Sequence, residues 1–588
     1  MNVHATIAAA VAVLIAAAAA PGAEPVPDWR NIRTGREIPS EGYADQPYVV
    51  ELRDDVWLCV LTTGKGAEGE KGQHIVATTS KDQGKTWSPL VDIEPAGGPE
   101  ASWAVPCVDA EGRVYVFYTY NGDRVGTLKG KPIRADTLGW YCYRTSADGG
   151  KTWSDKRYRL PMRATACDLA NDWNGEVRMF WGVAKPVRLG YDILLPFTKL
   201  GKYMLGEGEG WLFHGKNLLY ARNPDDVQWT LLPEGDRGIR SAEFGSVQEE
   251  HVVARVGRGR LVCLFRTATG YIGTSRSLDG GRTWSEPERL TYSPGGRPVK
   301  NPRANVKIWY VYEDRYLLWF HNHSGKDYEG RNPAWLAAGR VEDGRILWSQ
   351  PEIVLYDPDP KVRMSYPDFL YDRGRYFITE TNKTTARVHR ISERLIGLLL
   401  EQHRMEYPSD AGLVVNLSAR QCGPGAPLKL PTLPDLASGG GFAIGLWVWF
   451  DSLTGGQTIL DARAARGKGM AVETTGKGTI GLSMSDGKTR VTADCDLGIL
   501  TPGVWHHVVI IVDGGPKIIT WVVDGVLCDG GEKRQRGWTR FPPELGDVNG
   551  RTDVSLAPML SGRLGGLRIY NRYLRTSEAV GNFSAGRR

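Results

Sequence analysis

One phrase occurs three times in this 588-residue chain and limits its fold more than any other feature. It reads Ser80-Lys-Asp-Gln-Gly-Lys-Thr-Trp87, Ser146-Ala-Asp-Gly-Gly-Lys-Thr-Trp153 and Ser277-Leu-Asp-Gly-Gly-Arg-Thr-Trp284, each followed by Ser. The pattern S-x-D-x-G-x-T-W encodes a turn that leads into a strand. Its Asp can fold back onto turn amides, its Gly supplies a positive φ, and its Trp anchors the hairpin in apolar packing. Three copies in register make a repeat, and a repeat dictates architecture. Trp87 and Trp153 lie 66 residues apart, while Ser146 and Ser277 lie 131 apart, close to twice that. A degenerate copy belongs between them, with Gln228-Trp229 where its Trp should be. A worn copy, Val341-Glu-Asp-Gly-Arg-Ile-Leu-Trp348-Ser349, follows at the same period. Residues 26–400 divided by roughly 65 give close to six units, and short strands with Gly-rich turns at that length fit four-stranded blades. The expectation is an all-β chain that opens with a six-bladed β-propeller, with a seventh blade as the open alternative.

The length allows two or three domains with sizeable cores, and 72 Gly with 20 Trp favour strands over long amphipathic helices. A net charge of +6, with both signs mixed throughout, argues against a nucleic-acid partner. Basic stretches such as Lys533-Arg534-Gln-Arg536 read as solvated loop. The run Ile7–Ala20 is apolar, too short to span a bilayer, and followed by Pro21-Gly22-Ala23. It reads as a signal peptide over residues 1–23, giving a secreted or periplasmic protein without a membrane span. The eight Cys are scattered without a C-x-x-C pair, so they read as small buried residues, with no metal site or other cofactor.

After Ile391 the strand rhythm breaks. Ser392 to Leu400 reads as a short helix capped by Ser392, and 401–412 as a linker. Beyond it Phe442-Ala-Ile-Gly-Leu-Trp-Val-Trp-Phe450 and Ile519-Thr-Trp-Val-Val-Asp524-Gly525 alternate as strands do. Together with Trp505-His506-His507 and Leu567-Arg-Ile-Tyr-Asn-Arg-Tyr-Leu574, they resemble the laminin-G-like, concanavalin A-type domains. That resemblance implies a β-jelly-roll sandwich over residues 413–582, a class that often binds carbohydrate. Trp505 and His506 are expected to fill the sandwich.

The repeats and the segments around them resemble the sialidase (neuraminidase) family over roughly residues 40–390. Gln248-Glu-Glu-His-Val-Val253, Gly259-Arg-Leu-Val-Cys-Leu-Phe-Arg266 and Ser275-Arg-Ser-Leu-Asp279 follow that family's order of acidic residue, strand, Gly turn, strand ending in Arg, and Asp box. The resemblance implies Glu249 or Glu250 as the glutamate that activates the nucleophile. Counting from Val252 favours Glu249, and counting from Arg266 favours Glu250. It implies Arg266 and Arg331 as carboxylate-binding arginines, Tyr366 as the nucleophile and Glu380 as a brace for a further arginine. The chemistry is coherent. Guanidinium groups grip a carboxylate through paired, charge-assisted hydrogen bonds. A phenol deprotonated by Glu can attack beside that carboxylate, where a carboxylate nucleophile would meet like charge.

Two departures stand against the family pattern. Asp45 occupies the place of the first arginine, leaving Arg36, Arg387 or a different sugar to account for the gap. The loop Gly64–Ile75, where the acid/base aspartate belongs, holds Glu68, Glu70 and His74 but no Asp. His321 and His323 alternate onto one face and read as polar funnel residues rather than a metal pair. The expected partner is carbohydrate, an acidic glycan or polysaccharide, cleaved with retention by a sialidase-type glycosidase. The alternatives are a uronate polysaccharide lyase using His74, His251, His321 or Tyr366 beside Arg266, and a non-catalytic glycan-binding protein.

Overall fold

The computed structural model describes residues 27–202, 206–241, 243 and 250–586. The expected signal peptide and Glu249 lie outside the described residues. Among the described residues, six antiparallel sheets of four or five strands follow one another along the first two thirds of the chain. The first comprises Tyr43–Glu51, Trp57–Gly64, Gln73–Ser80 and Val91–Asp92. Each sheet packs on the next in chain order, and the last packs on the first. The last sheet takes its fourth strand from the N-terminus: Arg36–Ile38 pairs with Ala386–Ile391. Strands from the two ends of the domain that share one sheet close the ring.

The three repeated turns join the outer two strands of their sheets and are built alike. Ser80 Oγ donates to Asp82 Oδ1 at 2.9 Å, and Asp82 accepts from Thr86 N at 2.9 Å and Thr86 Oγ1 at 2.7 Å. The same contacts recur at Ser146–Asp148–Thr152 and Ser277–Asp279–Thr283. Gly84 takes φ +74° with its amide on Ser80 Oγ at 2.8 Å, and a Cβ there would stand 2.6 Å from Val388. The worn copy is a plain hairpin with Asp343 and Gly344 both at positive φ. Its trailing Ser349 still accepts from Ala338 N at 2.9 Å, as Ser88 does from Thr79 N at 3.0 Å.

The helix Glu393–Glu401 begins at Ser392, whose side chain accepts from Leu395 N. Beyond it a larger sheet, ordered Leu413–Ser418, Gly562–Tyr570, Gly441–Phe450, Trp505–Asp513, Ile518–Val523, Val526–Leu527, faces a four-stranded sheet over residues 458–494. Burial on both faces explains why the central strand Trp505–Asp513 is apolar from Val508 to Val512. Val508, Ile510 and Val512 enter the sandwich core, while Val509 and Ile511 join propeller residues such as Tyr316, Trp335 and Ala337. The two domains therefore share a core.

Polar anchors reinforce that interface. Buried Arg30 pairs with Asp513 at 2.6 Å and lies 4.3 Å from the Tyr573 ring centre. The Glu352 carboxylate accepts from Thr576 N and Ser577 N, capping the helix Thr576–Gly586 at its positive end. The stretch Lys533–Arg536 is a loop with Lys533, Gln535 and Arg536 exposed, while half-buried Arg534 bridges Asp494 and Asp496. One expectation fails here. Trp505 does not fill the sandwich. It begins its strand on the outer face, 41% exposed and edge-on to Trp449, whereas His506 is buried on Asp524. All eight Cys are free and buried.

Candidate active site

The innermost strands of the ring start at one end of its hub, and their first residues converge there. Three of these strands open with a β-bulge that places a non-glycine residue at positive φ: Gln46 at 53°, Trp103 at 64° and Tyr366 at 47°. Bulges re-aim side chains, and a left-handed residue without glycine's freedom is a strained choice that packing must hold. Here the bulge at Ser365–Asp368 accompanies a Tyr366 side chain that reaches the hub.

Glu250 is the centre of the cluster and is almost wholly buried. Its Oε1 accepts from Tyr366 OH at 2.7 Å and pairs with Arg266 Nη1 at 2.7 Å, while Oε2 accepts from Asn305 Nδ2 at 2.9 Å. Burial alone would raise the Glu250 carboxyl, but Arg266 and Arg331 outweigh it and hold it below its ordinary value. Burial, then the negative charge of Glu250, pushes the Tyr366 phenol well above its ordinary value. The resting pair is thus a neutral phenol donating to an ionised carboxylate, and Glu250 is placed to take the proton. Arg331 donates to Ser365 Oγ at 3.0 Å and to the Arg303 carbonyl at 3.1 Å. Tyr328 gathers three guanidinium groups around its ring, with Arg303, Arg266 and Arg331 at 4.8, 5.6 and 5.9 Å from its centre.

A second cluster adjoins the phenol. Lys383 Nζ lies 4.4 Å from the Tyr366 ring centre, 2.7 Å from Asp45 Oδ2 and 3.0 Å from Glu68 Oε2. Tyr43 OH also donates to Asp45 at 2.7 Å. Burial raises the Asp45 carboxyl against the pull of Lys383. Burial opposes ionisation of Glu68 too, but Lys383 and Arg134 bring it down to about 2. Neither Arg36 nor Arg387 stands in the gap left by Asp45. Arg36 is exposed on the closing strand, and Arg387 pairs with Glu380 at 3.4 Å. The cation beside Asp45 is Lys383, from the turn after Arg375–Thr381.

The structure brings Tyr366, Glu250, Arg266, Arg331 and Asp45 into this hub and leaves His74, His251, His321 and Glu380 outside it. Glu380 is buried against His389 at 3.2 Å. Its neighbours Thr379 and Thr381 reach the Pro47 and Ala44 carbonyls, so alternation turns Glu380 to the opposite face of the sheet. His74 sits within a strand beside Asp92 at 3.4 Å and Glu41 at 3.6 Å. His321 lies behind Arg331 with Nδ1 3.2 Å from the Pro333 carbonyl, and burial pushes it down to about 3. His323 contacts the Gly330 carbonyl. His251 contacts Thr198 Oγ1 at 3.1 Å, and burial lowers it to about 4. Lys383, Asn305 and Tyr328 were missed by sequence reasoning. Their only sequence signal is a polar or aromatic residue in a turn beside an innermost strand, which surface turns share. Among the described residues no group of three or more His, Cys, Asp or Glu could hold a metal.

Residues 98–378 match the BNR repeat-like domain, and residues 423–580 match the concanavalin A-like lectin/glucanases superfamily. No match is found among curated proteins. Similar solved structures include Trypanosoma rangeli sialidase in complex with sialic acid, at 15% identity and TM-score 0.41, covering 97% of this chain and 99% of that one. NanB sialidase from Streptococcus pneumoniae is similar at 12% identity and TM-score 0.42, covering 63% of this chain and 70% of that one. A Hadza microbial sialidase is similar at 16% identity and TM-score 0.43, covering 59% and 66%. The chain thus joins a BNR repeat-like domain to a concanavalin A-like domain.

Proposed function

We propose that this protein is a sialidase-type glycoside hydrolase acting on acidic glycans with retention. The observation that carries the reading is the Glu250 carboxylate, bonded at once to Tyr366 OH and Arg266 in a buried hub. In the first step Tyr366 oxygen bonds to the anomeric carbon, its proton passes to Glu250, and the bond to the leaving oxygen breaks. A proton must reach that leaving oxygen from the Asp45–Glu68 pair. Asp45 is the member that burial favours in its protonated form. Water then attacks the anomeric carbon and gives a proton to Asp45, the tyrosyl–sugar bond breaks, and the phenol recovers its proton from Glu250. Arg266 and Arg331 receive the substrate carboxylate, and Lys383 supplies a third positive charge as a point ammonium rather than a fork.

The lyase alternative loses support in its histidine form, because His74, His251 and His321 are each buried away from the Tyr366–Glu250–Arg266 cluster. On this reading residues 26–400 form the catalytic domain and 413–582 the second domain, exported to the periplasm or medium behind a leader over 1–23. The test is turnover of an aryl sialoside, with Tyr366→Phe as the control that must be silent. A wild-type protein that leaves aryl sialosides and other carboxylated aryl glycosides intact defeats the proposal.

A further inference from the structure

The second domain reaches the wall of the hub through one segment, residues 529–540. Opposite it lies the propeller loop 322–333, which carries Tyr328 and Arg331. Trp538 Nε1 donates to the Asn322 carbonyl at 3.2 Å, and Ser324 N donates to the Gln535 carbonyl at 2.9 Å. Arg540 Nη2 donates to the Asn332 carbonyl at 3.2 Å. The loop is therefore gripped at both ends by the other domain. The fit is close, since a Cβ on Gly325 would stand 2.9 Å from Gln535 Nε2.

A third anchor works on the neighbouring stretch. Lys300 is 2% exposed, and its ammonium donates to the carbonyls of Asp529, Gly531 and Arg534 at 2.9, 2.6 and 2.8 Å. These three bonds use all the donors a lysine has. Lys300 opens a short run that includes Arg303, whose carbonyl receives Arg331, and ends at Asn305, the partner of Glu250. Both propeller segments held by residues 529–540 thus end on groups that touch the hub.

We infer that residues 529–540 are a positioning strap for the anion-binding side of the hub, an inference that rests on the proposed function. The second domain holds Arg331 and Tyr328 in register with Glu250 and Tyr366, and so sets affinity for the substrate carboxylate without touching substrate. Hydrogen bonds that fix a guanidinium-bearing loop act on binding more than on the covalent step.

The experiment uses the full chain with Trp538→Phe, which keeps an aromatic ring and removes the donor, and with Arg540→Met and Lys300→Met. For each, KM and kcat are measured on an aryl sialoside, with amide hydrogen exchange followed in 322–333 and in the turn 80–87. The expected result is a KM raised roughly threefold to tenfold, the size of one lost hydrogen bond, with kcat within about twofold. Exchange should rise in 322–333 and stay level in 80–87, and Arg540→Lys should recover part of the KM loss. Unchanged exchange in 322–333 overturns the strap. Raised exchange with an unchanged KM overturns its part in affinity. A wild-type chain inactive on carboxylated glycosides refutes the proposed function instead, and the exchange data still decide whether the strap holds the loop.

Discussion

The rim turns and the hub are both built around hydrogen-bonded carboxylates, yet they obey opposite rules. At Asp82 the carboxylate is bonded by Ser80 and Thr86, a few residues away along the chain, and the group remains near water. At Glu250 the partners come from Arg266, Asn305 and Tyr366, up to 116 positions away, and water is excluded. A local, wet carboxylate stabilises a turn by a small amount and can be repeated around a ring. A buried one assembled from distant strands is costly to leave unpaired, so its partners must all be present together. The first arrangement shapes a scaffold. The second stores a charged group ready for chemistry.

The largest way to break this contrast is Tyr366→Phe. Glu250 keeps Arg266 and Asn305, so the hub stays satisfied and the melting temperature should hold. Turnover of a carboxylated aryl glycoside should fall by at least about 10³-fold, as loss of a nucleophile does. A variant with full activity removes Tyr366 from that role. Next comes Glu250→Gln, which should lower kcat by about 10²- to 10⁴-fold through loss of the proton acceptor. It should also destabilise the fold by about 3–5 kcal/mol, because the buried Glu250–Arg266 ion pair is broken. The pH dependence follows from the direction of the shift. Glu250 is held below its ordinary value when folded, so its stabilisation is present above the usual carboxylate range and is lost as pH falls through the depressed folded value. Wild-type melting temperature measured against pH should show an acid loss that is absent in Glu250→Gln.

The same contrast explains what was legible in the sequence. The turn phrases name their own partners: Asp82 needs only Ser80 and Thr86, so a repeat search finds the whole unit. From three such units came the all-β reading and the sheet period. The helix cap at Ser392 was legible for the same reason. Hub residues carry no such local signature. Tyr366 could be placed only by its order after Glu250, Arg266 and Arg331. Glu380 was misplaced because the sequence does not say which face of the bulged sheet a strand residue takes. Lys383 was invisible: it sits in a two-strand turn, where a solvated lysine is the ordinary case, and only ring closure carries it to Asp45.

Lys383→Met therefore tests whether a turn lysine has hub rank. It leaves Asp45 and Glu68 facing each other without their shared ammonium, which favours the protonated form of Asp45 still further. KM for a carboxylated substrate should rise about tenfold, the value of one charge-assisted contact. Adding Asp45→Asn should restore stability but not KM. If KM stays at the wild-type value, the ammonium serves Asp45 alone.

Asp82→Ala probes the other side of the comparison and should have the smallest effect. It removes the acceptor for Ser80 Oγ, Thr86 N and Thr86 Oγ1, all of which can turn to water. The expected loss is about 1 kcal/mol of stability, the net worth of a local hydrogen-bonded turn. Burial slightly opposes ionisation of Asp82, but bonds from Thr86 and Ser80 bring it down to about 2. Its contribution should thus persist above the ordinary carboxylate value and fade as pH drops from about 4 toward 2. Both KM and kcat should be unchanged at neutral pH, because no bond of this turn leads to Glu250. A KM shift in Asp82→Ala as large as that in Lys383→Met would mean that the outer turns tune the hub after all, and rim and hub would have to be treated as one cooperative unit.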